Sequence, residues 1–136
     1  MDDIIRTMRI SGSGMRAQGQ RLRVIAQNIA NANSLPQEPN ENPYRRKVLT
    51  FRNEFDRATG IDLVKVNRVR SDMSEFSRRY EPSHPAADAD GYVLTPNVNT
   101  IIEMTDMREA QRSYEANMNV IKTSKSMLSS ALELLR

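Results

Sequence analysis

"IRTMRISGSGMRAQGQRLRVIAQNI", residues 5–29, decides the fold. Read at alternating spacings of three and four, it gives Ile5, Met8, Gly12, Met15, Gly19, Leu22, Ala26 and Ile29, an unbroken seam register. Met8, Met15, Leu22 and Ile29 recur at heptad spacing, while the alternate sites after Ile5 are small. Such a helix presents one narrow apolar stripe and allows close approach of another helix at the small sites. Glycine inside a helix costs about 1 kcal/mol relative to alanine, so Gly12 and Gly19 imply a compensating contact or a flexible entry. As an isolated peptide the helix would be marginal.

The end of the chain carries a second seam, Met104, Met107, Gln111, Tyr114, Met118, Ile121, Lys125, Leu128, Leu132 and Leu135. Pro96 and the Asn97–Asn99 stretch set its start, with Asn99 as N-cap. A helix from about residue 100 onward would be on the order of 50 Å long at 1.5 Å per residue. Nothing else in the chain is large enough to surround such a rod. The economical arrangement pairs the first helix with the last as a coiled-coil-like layer and leaves other faces for neighbouring subunits.

Between the seams the period changes. "SLPQEPNENP" reads as a connection, and residues 44–51 and 61–70 are rich in β-branched residues, with Gly60 in the turn between them. Residues 91–95 are a short strand candidate, and the Pro-rich stretch from residue 77 onward reads mainly as ordered loop. The fold class expected is therefore α+β: an N-terminal helix within 1–33, a loop and β-rich middle within 34–98, and a C-terminal helix within 99–136.

A chain of 136 residues is long enough for one domain and too short for two well-built ones, so one fold, or one fold with a small appendage, is expected. It has no cysteine, which excludes disulfides, thiolate metal sites and cysteine nucleophiles. The start lacks a secretory signal, and no run approaches the ~20 apolar residues of a membrane span, so a soluble chain without membrane insertion is expected. The net charge of +3 lies on the first segment, where Arg6, Arg9, Arg16, Arg21 and Arg23 face only Asp2 and Asp3. With Tyr44 the lone aromatic near Arg45, Arg46 and Lys47, and no reader module, nucleic acid is not expected as a partner.

Catalytic chemistry finds little to stand on. His84 is the only histidine, too few for a metal site, and reads as a loop residue. Asp88 and Asp90 before Gly91 lack the spacing of a calcium loop and read as a turn. Glu103, Asp106 and Glu109 suit the dipole at a helix start better than paired acid–base work. "SGSG" at residues 11–14 neither follows a strand nor precedes Lys-Ser, so it is no phosphate loop. No enzyme activity, cofactor or metal is expected.

Asn28, Asn31 and Asn33 crowd the end of the first helix. Asn28 and Asn31 border the seam, where a carboxamide would fix register at some cost in stability. Asn33 could end the helix in a left-handed conformation. A frayed polar helix end is the other reading of the same residues, and pattern alone leaves both open.

Three stretches carry a family resemblance. "GMRAQGQRLRVIAQNIANANS" (14–34), with its Asn-Ile-Ala-Asn run, resembles the N-terminal signature of bacterial flagellar axial proteins, the rod and hook components. "PNVNTIIEMTDMREAQRSYEANMNVIKTSKSML" (96–128) resembles their C-terminal helix, and "YEPSHPAADADGYV" (80–93) is most similar to proximal-rod members. The resemblance implies a non-enzymatic subunit that polymerises helically into the rod, transmits torque and lines the export channel. Its terminal helices would form an inner tube and its middle an outer layer. It would be exported through the flagellar type III apparatus without cleavage, to the rod in the periplasm.

The implied partners are other rod subunits, further copies of itself, and basal-body ring and export-gate proteins. The implied subunit interface combines Met8, Met15, Leu22, Ile29, Asn28 and Asn31 with Met107, Tyr114, Asn117, Met118, Ile121, Leu128, Leu132 and Leu135. Glu75 and Ser83 stand where the family pattern has Pro and Gly, so the resemblance does not fix residues 73–85. A non-polymerising coiled-coil adaptor or secretion chaperone, and another rod or hook paralogue, are the alternative functions.

Overall fold

A computed structural model describes residues 2–134, in the order α1 (Asp2–Ala30), β1 (Lys47–Asp56), β2 (Ile61–Ser71), β3 (Ser77–Tyr80), β4 (Tyr92–Thr95) and α2 (Thr100–Leu134). This is an α+β chain with long terminal helices and two small two-stranded sheets, β1-β2 and β3-β4. Asn99 caps α2: its Oδ1 accepts the backbone N–H groups of Ile101 at 3.1 Å and Ile102 at 3.4 Å, two of the donors a helix start leaves without partners.

The chain divides into two compact units. The first comprises Met1–Leu22, Leu49–Arg68 and Arg108–Arg136. Here α1 and α2 meet antiparallel: Gly14 lies against the Asn117 side chain, and Arg21 reaches Glu109 at 3.5 Å. A Cβ on Gly14 would sit 2.9 Å from Asn117 Nδ2, so the missing side chain is what permits the approach. Ser13 joins α1 to β2, accepting the Val64 N–H at 3.2 Å while donating to its own helix at Ile10 O. The β1-β2 turn is closed by Asp56, which accepts from Ala58 N–H and the Thr59 hydroxyl, and Gly60 adopts φ +65°. These two bonds, the Thr59 hydroxyl first, hold the Asp56 carboxyl below its usual range, and Arg9 at 3.6 Å adds to the effect.

The second unit comprises Arg23–Val48 and Val69–Met107. Strands β3 and β4 pair antiparallel from Ser77↔Thr95 to Tyr80↔Tyr92. The rings of Tyr80 and Tyr92 meet edge-on at 5.3 Å. Gly91 has φ +82°, and a Cβ there would lie 3.0 Å from the Tyr80 ring, so only glycine fits. Val93 and Pro96 are buried in this unit, with Ile25 and Ala32 of its α1 share.

Four expectations change. β1 begins at Lys47 rather than residue 44, because the Arg46 N–H is taken by Asn97 Oδ1 at 2.8 Å and Tyr44 by a side-chain partner, and the strand then runs on to Asp56. β3 forms where a loop was expected, since pairing with β4 supplies the order that residues 77–80 do not signal alone. Asn33 does not take a left-handed conformation: α1 ends in tight turns from Ala32 N–H to Ile29 O and from Ser34 N–H to Asn31 O. The left-handed asparagine is Asn40, at φ +66°.

The fourth change concerns register. On α1 the buried positions are Ser11, Ser13, Ala17, Ile25 and Asn28, and on α2 they are Glu103, Ala110 and Ser124. Ser11, Ile25 and Asn28, like all three on α2, lie one residue before an expected seam position. Apart from Ile25, the side chains these helices bury are small or polar. The Met, Leu and Ile stripes flank that surface.

Candidate functional site

Within the second unit a buried polar junction forms around Asn28, which is 1 % exposed. Its carboxamide pairs with the backbone of Lys47 at two points: Nδ2 donates to Lys47 O at 2.8 Å, and Oδ1 accepts the Lys47 N–H at 2.9 Å. Nδ2 also donates to Glu103 Oε2 at 3.0 Å, and Oδ1 accepts the Tyr44 hydroxyl at 2.9 Å. All four bonding positions of the amide are thus filled. Only one amide orientation works, since a flip would set donor against donor and acceptor against acceptor. The side chain acts as a strand partner for the first residue of β1.

Glu103 is also 1 % exposed, and its second oxygen accepts from Arg46 Nε at 2.6 Å. Arg46 further reaches Asp72 at 3.4 Å and Asp106 at 3.9 Å. Burial works against the Arg46 charge, but the hydrogen bond and charge of Glu103, with Asp72 behind them, raise its pKa overall. Tyr44 is raised as well, by burial and then by the Glu103 charge, so it remains a donor to Asn28. The Asp72 carboxyl is held below its usual range, first by the Ser74 backbone N–H at 2.9 Å and then by the Ser74 hydroxyl and Arg46.

The network extends into the loop after β2. Asn97 Nδ2 donates to Asp72 O, Ser74 O and Ser74 Oγ, at 3.0, 3.2 and 2.9 Å. Arg45 donates to the same two carbonyls at 3.1 and 3.0 Å, and its guanidinium lies 4.1 Å over the Phe76 ring. Residues 72–76 are therefore fixed from several sides.

Of the residues singled out from sequence, Asn28 forms the centre of this junction. Asn31 secures the helix end, donating to Gln27 O at 2.8 Å and accepting from Ser34 Oγ at 3.3 Å. Met8, Met15, Leu22 and Ile29 on α1, and Met107, Tyr114, Asn117, Met118, Ile121 and Leu128 on α2, are half-buried. Leu132 is 55 % exposed, and Leu135 lies outside the described residues. Sequence pattern does not mark Tyr44, Arg46, Asp72 or Asn97 as site residues, and it suggests for Glu103 only a favourable place near the helix dipole. The available signal was an acid at a seam-adjacent helix position together with a loop arginine.

The chemistry available is structural. His84 Nδ1 accepts the Ala86 N–H at 3.1 Å, and Asp88 Oδ1 accepts those of Asp90 and Tyr92 at 3.0 and 2.8 Å, so both shape turns. Among the described residues, no group of three or more His, Cys, Asp or Glu side chains could hold a metal ion, and no helix is long and apolar enough to cross a membrane.

Two family models match the chain. One, described as "Flagella basal body rod protein", covers residues 8–34, and one, described as "Flagellar basal body rod FlgEFG protein C-terminal", covers residues 89–134. The chain is 46 % identical over 136 residues to the flagellar basal-body rod protein FlgC of Agrobacterium fabrum, across 100 % of this chain and 98 % of that one. The chain belongs to the FlgC family of flagellar basal-body rod proteins. The FlgC of Salmonella typhimurium is 42 % identical over 125 residues, 92 % of each chain, and that of Borreliella burgdorferi 37 % over 148 residues, 96 % of each. The two segments matched by the models are the ones that supply Asn28 and Glu103 to the junction.

Proposed function

We propose that this FlgC-family chain, a structural rod subunit and not an enzyme, polymerises helically through its terminal helices. Residues 1–33 and 99–136 form an inner layer around the export channel, and residues 34–98 form an outer layer. The rod transmits torque because many helix contacts share the load. The subunit meets other rod subunits and its own copies, along with ring and export-gate proteins at the ends of the rod. It reaches the periplasm through the flagellar type III apparatus. Met8, Met15, Leu22 and Ile29, with Met107, Tyr114, Met118, Ile121, Leu128 and Leu132, make the intersubunit contacts.

The observation that carries this reading is the division of labour on the helices. Apart from Ile25, the helix positions buried within the chain are small or polar, while the apolar stripes stay part-exposed and Ile101 is 75 % exposed. Exposed apolar surface of this kind marks interaction sites. Mass spectrometry of purified basal bodies tests the reading: the chain is expected among rod and hook components, and a purely cytoplasmic pool bound to one partner would instead support an adaptor. Placing Glu at Ile29 or Leu128 is expected to abolish incorporation.

A further inference from the structure

Met73 is 79 % exposed, yet it stands on one of the most firmly held loops in the molecule. Asn97, Arg45 and Asp72 fix the backbone on both sides of it through the bonds to residues 72 and 74 described above. With its backbone already held, the loop presents the flexible Met73 thioether as an apolar knob whose docking costs side-chain but little further backbone ordering. Glu75 beside it is exposed, and among the described residues it makes no hydrogen bond or ion pair. The knob therefore carries one free negative charge.

The first unit offers the complementary shape. A groove of about 610 Å³ is lined by Ile5, Met8, Leu63 and Leu128 together with Arg9, Arg16 and Asp56. Arg9 is engaged with Asp56, whereas the exposed Arg16 makes no hydrogen bond or ion pair among the described residues. Apolar lining meets apolar knob, and a free cation meets a free anion.

We infer that the Met73–Glu75 loop of one subunit docks into the Met8–Leu128 groove of a second copy of this chain, with Glu75 pairing Arg16. The inference rests on the rod reading and names a contact within it. Made head-to-tail, the contact gives each copy one neighbour that it receives and another to which it offers itself. Contacts of that kind propagate into open helical filaments unless the rotation closes a ring. The buried Asn28–Arg46–Glu103 junction gains a purpose here, since Arg46 and its neighbours anchor the loop that presents the knob.

The absence of native cysteine makes the test clean. Two differently tagged chains, Met73→Cys and Met8→Cys, are co-expressed, basal bodies are purified and oxidised, and species carrying both tags are sought. A disulfide forms only where the Cα atoms come within about 7 Å. The expected result is a two-tag dimer, absent when the second cysteine is placed at exposed Asn67 on β2. Leu63→Cys reports the same groove should Met8→Cys fail to incorporate. Glu75→Arg on one copy or Arg16→Glu on the other should each lower the yield about fivefold, and the two together should restore it. Both chains present in basal bodies without a two-tag product, or a yield indifferent to the charge swaps, would overturn the contact and leave the rod reading standing. Absence of the chains from basal bodies would overturn both.

Discussion

Gly14 and Asn28 sit on the same helix and meet α2 by opposite means. At Gly14 the contact is made by removing atoms: no side chain intervenes, and the Asn117 carboxamide comes to 2.9 Å from where a Cβ would be. At Asn28 the contact is made by adding polar groups, each satisfied by another, with a buried carboxylate and a guanidinium at its end. The first arrangement is governed by van der Waals fit, which an altered side chain can relieve by shifting. The second has no such relief, because an unpaired polar group buried away from water retains its full desolvation cost. Substitutions should therefore be graded in the Gly14 contact and steep in the Asn28 junction.

The largest effect is expected from Arg46→Met, which leaves Glu103 buried without its cation and should destabilise the free chain by about 3–5 kcal/mol in urea unfolding. Adding Glu103→Leu should recover part of that loss, whereas a double variant as unstable as the sum of the two singles would deny the coupling. Gly14→Val should cost less, about 1–3 kcal/mol from overpacking, and Asn117→Ala should relieve it. A Cβ added at Gly19 would meet nothing within 4 Å, so Gly19→Ala should stabilise the free chain by about 0.5–1 kcal/mol. His84→Ala, which removes one local turn bond, should leave motility intact.

Acid gives a second view of the junction. Asp72 has its folded pKa lowered, so it contributes stability in full above the unfolded value of about 3.9 and loses that contribution as pH falls through the folded value. Acid unfolding of Asp72→Asn should be less steep in that window than that of the unaltered chain. Identical acid profiles would mean that the Ser74 and Arg46 bonds to this carboxylate do not contribute to stability.

Features set by neighbouring residues are legible in the sequence. The two helices follow from their three-four spacing, the α2 start from Pro96 and Asn99, and the β1-β2 turn from Gly60. The Asn28 junction is less legible because its members are far apart: Arg46 and Glu103 are separated by 57 positions and Asn28 and Glu103 by 75. The shift of the buried register has a similar cause. Apolar spacing identifies a stripe able to be buried, but it does not say whether the same chain or a neighbour covers it. At Gly14 and Asn117 the small stripe wins within the chain because it permits the closer approach.

On the proposed reading, small and polar positions with Ile25 hold the fold, and the apolar stripes make the contacts between subunits. Leu132, on that stripe and exposed, separates the two roles most directly. Quantitative mass spectrometry of basal bodies from cells producing Leu132→Glu should find the chain absent from rods although it remains folded in solution. Rods carrying Leu132→Glu at the level of the unaltered chain would contradict the account.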